Sequence, residues 1–114
     1  MSRKLRFTAQ ARQDMAHIVR WTKKHFGEQQ ARIYAETLKL ALDALCEEGE
    51  QAIGAKARNE IAVGVHTLHV ARQKRKGRHF IVATRADAVD VLRILHDSMD
   101  FRSALLPLMS PEDF

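Results

Sequence analysis

Cysteine is almost missing from this chain: Cys46 is its single representative in 114 residues. One thiol excludes an internal disulfide framework and a four-cysteine metal site, and it suits a reducing cytoplasm. Long apolar runs are missing too, so no segment approaches a membrane span, and MSRKLRF lacks the apolar core of a signal peptide. There is no internal repeat, no low-complexity tract and no Pro/Ser-rich linker. No glycine-rich phosphate loop and no serine in a strained turn is present, which removes the commonest nucleotide and hydrolase signatures. The histidines lack ligand spacing. His66 and His69 are three apart on a candidate strand, so they point to opposite faces and cannot grip one ion. No metal and no cofactor is expected.

What is present is an ordinary globular balance, with 46% hydrophobic and 29% charged residues. The length fits one domain over residues 1–114, able to bury roughly two-thirds of its unfolded surface. The net charge of +5 is spread evenly, +3 over residues 1–60 (11 basic, 8 acidic) and +2 over residues 61–114 (8 basic, 6 acidic). That balance favours an acidic partner, whether a protein surface or a nucleic acid.

Leu5, Arg6 and Phe7 alternate like a short strand, and Thr8 is placed to cap a helix beginning at Ala9. Ala11, Met15, Ile18, Val19 and Phe26 recur at helical spacing from Ala9 to Phe26, and Gly27 ends that helix. A second helix is expected over Glu28–Glu47. Its main stripe is Ala31, Tyr34, Leu38, Ala41, Leu42 and Leu45, with a second stripe of Ile33, Thr37, Leu40 and Ala44 about 100° away. That broad surface either packs on both the first helix and a sheet, or leaves one flank for a partner. Residues 48–60 read as a loop. Three strands come next, Ala62–Val70, His79–Thr84 and Val89–Leu95, whose short connections make both pairings antiparallel. A loose tail is expected from about residue 108. The fold class is therefore α+β, in the order β-α-α-β-β-β, with a two-helix antiparallel hairpin packed on a small antiparallel sheet.

Three features invite chemistry. Cys46 sits among glutamates at a helix end, which raises its pKa and argues against a nucleophile. The turn between the second and third strands carries Arg72, Lys74, Arg75, Lys76 and Arg78, suited to phosphates or to an acidic protein face, or simply to a solvated turn. Arg93 interrupts the last apolar strand, on the face of Val91 and Leu95, and needs a carboxylate or carbonyl partner. Asp97 or Asp100 is in reach on the segment that turns back. Arg93 thus anchors that segment, and the segment is the part offered to a partner.

The pattern A-R-Q-D-M-A-H-I-V-R-W from Ala11, Phe26–Gly27, A-x-x-Y-x-x-x-L from Ala31 and V-L-R-I-L-H-D-S-M-D from Val91 together resemble the ParE branch of the ParE/RelE toxin superfamily. The resemblance implies a toxin of a bacterial type II toxin–antitoxin system that inhibits DNA gyrase and is neutralised by a co-expressed antitoxin, here expected to be acidic. With the segment after the last strand as the part offered to a partner, the target-facing set is expected to be Arg93, His96, Ser98, Met99, Asp100 and Phe101. The antitoxin is expected on Trp21, Ile33 and Leu40, because Trp21 leaves its helix about 120° from the main apolar face. Catalytic residues are expected to be none. The related nuclease branch carries a basic residue and a C-terminal tyrosine after the last strand, where this chain has Asp97, Ser98, Met99 and Phe101; His79 and His96 are its only evident proton acceptors. A ribosome-dependent endoribonuclease and a degenerate, non-toxic antitoxin-binding module are the alternatives.

Overall fold

A computed structural model describes residues 3–52, 54–59, 63–70, 77–85 and 87–96. Strand β1 (Lys4–Phe7) leads into α1 (Ala9–Phe26) and α2 (Glu28–Glu47), then a 3-10 turn (Gly49–Gln51) and strands β2 (Ala55–Ala57), β3 (Val65–His69), β4 (His79–Arg85) and β5 (Ala88–His96). The α+β order is as expected, and both helices have the expected bounds. Their ends are fixed by local chemistry. Thr8 Oγ1 accepts the Ala11 N–H at 3.0 Å, and Gly27 N–H donates to the Lys23 carbonyl at 3.0 Å.

Gly27 serves as the last cap of α1 and the first of α2, with φ 93° and ψ 167°. That backbone region is open almost only to glycine. A Cβ there would meet nothing within 4 Å, so the cost of adding one is purely conformational. Gly27→Ala is expected to destabilise the fold by about 1–3 kcal/mol in a thermal or denaturant melt.

The sheet runs in the order β1-β5-β4-β3-β2. Two details differ from the expected sheet. First, β1 and β5 pair in parallel, Lys4 with Ala88 through Phe7 with Val91. The rule that short connections force antiparallel pairing governs consecutive strands, and these two are separated by both helices and three strands. Second, the segment read as a loop contains β2, which pairs antiparallel with β3, Ala55 with Leu68 through Ala57 with His66. Only three residues long, with Lys56 in its centre, β2 shows no hydrophobic alternation; its partner defines it. The strand expected from Ala62 begins at Val65, after Gly64 at φ 87°. Ala62 and the tail from about residue 108 lie outside the described residues.

One face of the sheet meets the helices. Leu68, Val70, Ile81, Ala83, Val89, Val91 and Ile94 join Ala11, Ile18, Leu38, Ala41, Leu42 and Leu45 in a single buried cluster. On α2 the main stripe is buried, with Tyr34 half-buried, while the second stripe is divided: Thr37 is buried, and Ile33, Leu40 and Ala44 are half-buried. Residues 23–30, the tip of the helical hairpin, are all exposed.

Candidate functional site

The junction of α1 with the end of β5 is built where β1 stops. Phe7 is the last residue of β1, opposite Val91; Thr8 then turns away, donating its hydroxyl to the Leu92 carbonyl at 2.8 Å. Opposite, Val82 pairs with Arg93 and Ala83 with Val91, which leaves Leu92 as an extra residue in a β-bulge. The bulge resets the alternation. Val91 and Ile94 face the helices, whereas Arg93 pairs with Val82 on the other face, so the expectation that Arg93 and Val91 share a face fails here.

Asp14 on α1 completes the junction. Its Oδ2 accepts the Ile94 N–H at 3.0 Å and Arg93 Nε at 2.7 Å, while Oδ1 accepts Arg93 Nη2 at 3.1 Å. The Arg93 and Asp14 side chains are only 18% and 12% exposed. One carboxylate therefore satisfies a backbone donor on β5 and grips a guanidinium through two bonds, tying the first turns of α1 to the last strand. Asp14, a partner of Arg93, stands 79 residues away from it in sequence. Asp97 and Asp100 lie outside the described residues.

A second cluster forms where β4 and β5 meet α2. Tyr34 Oη lies 2.6 Å from His79 Nδ1 and accepts the Arg78 backbone N–H at 3.1 Å. The Tyr34 hydroxyl can donate to His79 Nδ1 or accept from it, according to the tautomer of the ring. His79 and His96 are cross-strand partners, their rings edge-to-face at 5.4 Å. Tyr34 thus belongs to the core stripe and also holds an imidazole pair in place. The sequence gives no reason to group these three residues. Their proximity comes from strand register, which the stripes of a helix do not contain.

At the hairpin tip, Trp21 is 49% and Phe26 63% exposed. The Trp21 ring stacks on His25 at 4.2 Å and tilts against Phe26 at 5.7 Å. His25 Nδ1 lies 2.9 Å from the Trp21 carbonyl, which can only accept, so that nitrogen carries the hydrogen.

Residues 5–101 match the family model described as the ParE toxin of the type II toxin–antitoxin system parDE. The chain belongs to the ParE toxin family. It is accordingly a toxin of a type II toxin–antitoxin system. Among solved structures, the fold is similar to a chain of the chromosomal ParDE system from P. aeruginosa, with a TM-score of 0.64 and 19% identity over 83% of this chain and 96% of that one. No curated protein matches in sequence.

Within this ParE-family toxin, the expected site residues fall in three places. Arg93 and His96 lie on β5, and Ser98, Met99, Asp100 and Phe101 lie outside the described residues. His96 is the last residue of the strand rather than part of the segment after it. Trp21 and Ile33 stand six residues either side of Gly27, both about 9 Å from the hairpin turn along their helices, with Leu40 two turns further along α2. Of the basic turn, Arg78 is exposed beside β4, and Arg72, Lys74, Arg75 and Lys76 lie outside the described residues.

Burial pushes the Cys46 thiol up, and the neighbouring Asp43 charge adds to it, while Arg85 acts in the opposite sense. A thiol so placed is a poor nucleophile at neutral pH. Among the described residues no group of three His, Cys, Asp or Glu is placed to hold a metal ion. No described helix is long and apolar enough to cross a membrane.

Proposed function

We propose that this ParE-family toxin acts in the cytoplasm by binding DNA gyrase and blocking replication without hydrolytic chemistry of its own, and that an acidic antitoxin neutralises it. The observation that carries this reading is the family match, which runs from β1 through the junction and on to Phe101. The geometry supports it in one further respect. The Asp14–Arg93 pair holds the end of β5 against α1, giving His96 and the residues after it a rigid base from which to present a target-facing segment. In this reading Arg93 is a positioning residue, and Ser98, Met99, Asp100 and Phe101 make the contact. The antitoxin covers Trp21, Ile33 and Leu40, with the net charge of +5 steering its approach.

The test is pulse-labelling after induction. Thymidine incorporation is expected to collapse first, with uridine and leucine incorporation falling only later. Immediate loss of leucine incorporation, with cleaved messenger, would contradict the reading.

One observation favours the endoribonuclease instead. Tyr34, His79 and His96 form a hydrogen-bonded and ring-packed cluster beside Arg78, an arrangement able to take up a proton next to a cation. His79→Ala decides between them. In a gyrase-directed toxin it leaves growth inhibition within a few-fold of wild type provided the variant folds, whereas in a nuclease it abolishes both toxicity and messenger cleavage.

A further inference from the structure

A groove between β1 and α1 contains none of the residues assigned above. Phe7, Met15 and Val19, all half-buried, make its apolar floor, Ala16 lies between, and Arg12 and Arg20 stand exposed beside it, in an open volume of about 480 Å³. Arg12, Ala16 and Arg20 are spaced four residues apart, so they share one line of α1, with the two arginines about 12 Å apart along the axis.

Their charges are uncommitted. Arg6, Arg32 and Arg93 each hold a carboxylate, but the side chains of Arg12 and Arg20 make no ion pair or hydrogen bond among the described residues. Among the described residues no acidic side chain lines the groove. The occupant must therefore bring negative charge. It must also bring apolar side chains, since a purely ionic ligand leaves the floor wet. Stacked bases find no open aromatic face here, because the one ring present, Phe7, is packed against the core. An acidic polypeptide with apolar anchors meets both demands.

We propose that this groove seats an acidic segment of the antitoxin, placing apolar side chains on Phe7, Met15 and Val19 and carboxylates about 12 Å apart on Arg12 and Arg20. This rests on the reading that an antitoxin neutralises the chain, and it adds a second anchor to that surface. Trp21 leaves α1 about 100° from Arg20, so a single bound chain wraps around the helix to use both.

The test is calorimetric titration of the full chain with its co-encoded antitoxin at two salt concentrations. Arg12→Glu/Arg20→Glu and Val19→Asp are compared with Lys39→Glu, an exposed charge reversal on α2, and each variant's fold is checked by melting. The groove variants are expected to weaken binding at least about tenfold, the double reversal also flattening the salt dependence, with Lys39→Glu near wild type. Wild-type affinity in both groove variants would overturn the groove alone. No binding by the wild-type chain would overturn the groove together with the antitoxin reading. Unchanged antitoxin binding with lost toxicity would assign the groove to the target, and a change in the free chain's own mass would assign it to self-association; either overturns the proposal.

Discussion

Arg93→Ala is expected to lower the stability of the fold by about 3 kcal/mol, which for a domain of this length corresponds to a melting temperature roughly 10 °C lower. The reason is asymmetry. An intact buried ion pair contributes modestly, because attraction and lost hydration nearly cancel, but removing one member strands the other. Asp14, only 12% exposed, would keep the Ile94 N–H and lose both guanidinium bonds. Asp14→Ala should cost at least as much, since it also leaves the Ile94 N–H without its acceptor. The double variant Asp14→Ala/Arg93→Ala should be more stable than the sum of the single losses implies, because no buried charge then remains alone. A melt of Arg93→Ala superimposable on wild type would show that the pair holds nothing together.

Leu38 and Leu40 are two residues apart on α2, and their variants should part company. Leu38 is 0% exposed and belongs to the central cluster, so Leu38→Ala is expected to cost about 3 kcal/mol from lost burial and the cavity left behind. Toxicity and antitoxin binding would fall together, through loss of folded protein. Leu40 is half-buried on the second stripe, outside that cluster, and Leu40→Ala should cost about 1 kcal/mol or less. Its effect is expected in antitoxin affinity rather than in the melt. Denaturant melts and antitoxin titrations on both variants check this. Equal destabilisation by the two would make the second stripe core, and would withdraw it from the antitoxin surface.

The parts of this fold legible in the sequence are those with local causes. Thr8 and Gly27 mark helix ends through their own side-chain and backbone chemistry, and the alternation of β4 and β5 locates both strands within a residue of their ends. The parallel pairing of β1 with β5 is not legible, because it joins segments separated by more than eighty residues. Nor is β2, whose three residues carry no pattern of their own. For Arg93 the need for a partner is readable, and the part that Asp14 plays in meeting it is not. A signal does exist: Asp14 lies three residues after Ala11 and four before Ile18, both buried, so a carboxylate stands beside the buried face of α1 awaiting a cation. The bulge at Leu92 leaves no comparable trace, and it reverses the face assigned to Val91 relative to Arg93.

The same division holds for the site. The exposure of Trp21 comes from its angle on α1, a local quantity. The meeting of Tyr34, His79 and His96 depends on the register between β4 and β5 and on how α2 lies across the sheet, neither of which composition or spacing contains.

Supercoiling of relaxed plasmid by purified gyrase is the decisive assay for the proposed gyrase target. Adding the purified toxin should abolish supercoiling, and prior addition of the antitoxin should restore it. Undiminished supercoiling at a large molar excess of folded toxin, with cleavage of messenger on programmed ribosomes by the same preparation, would contradict it.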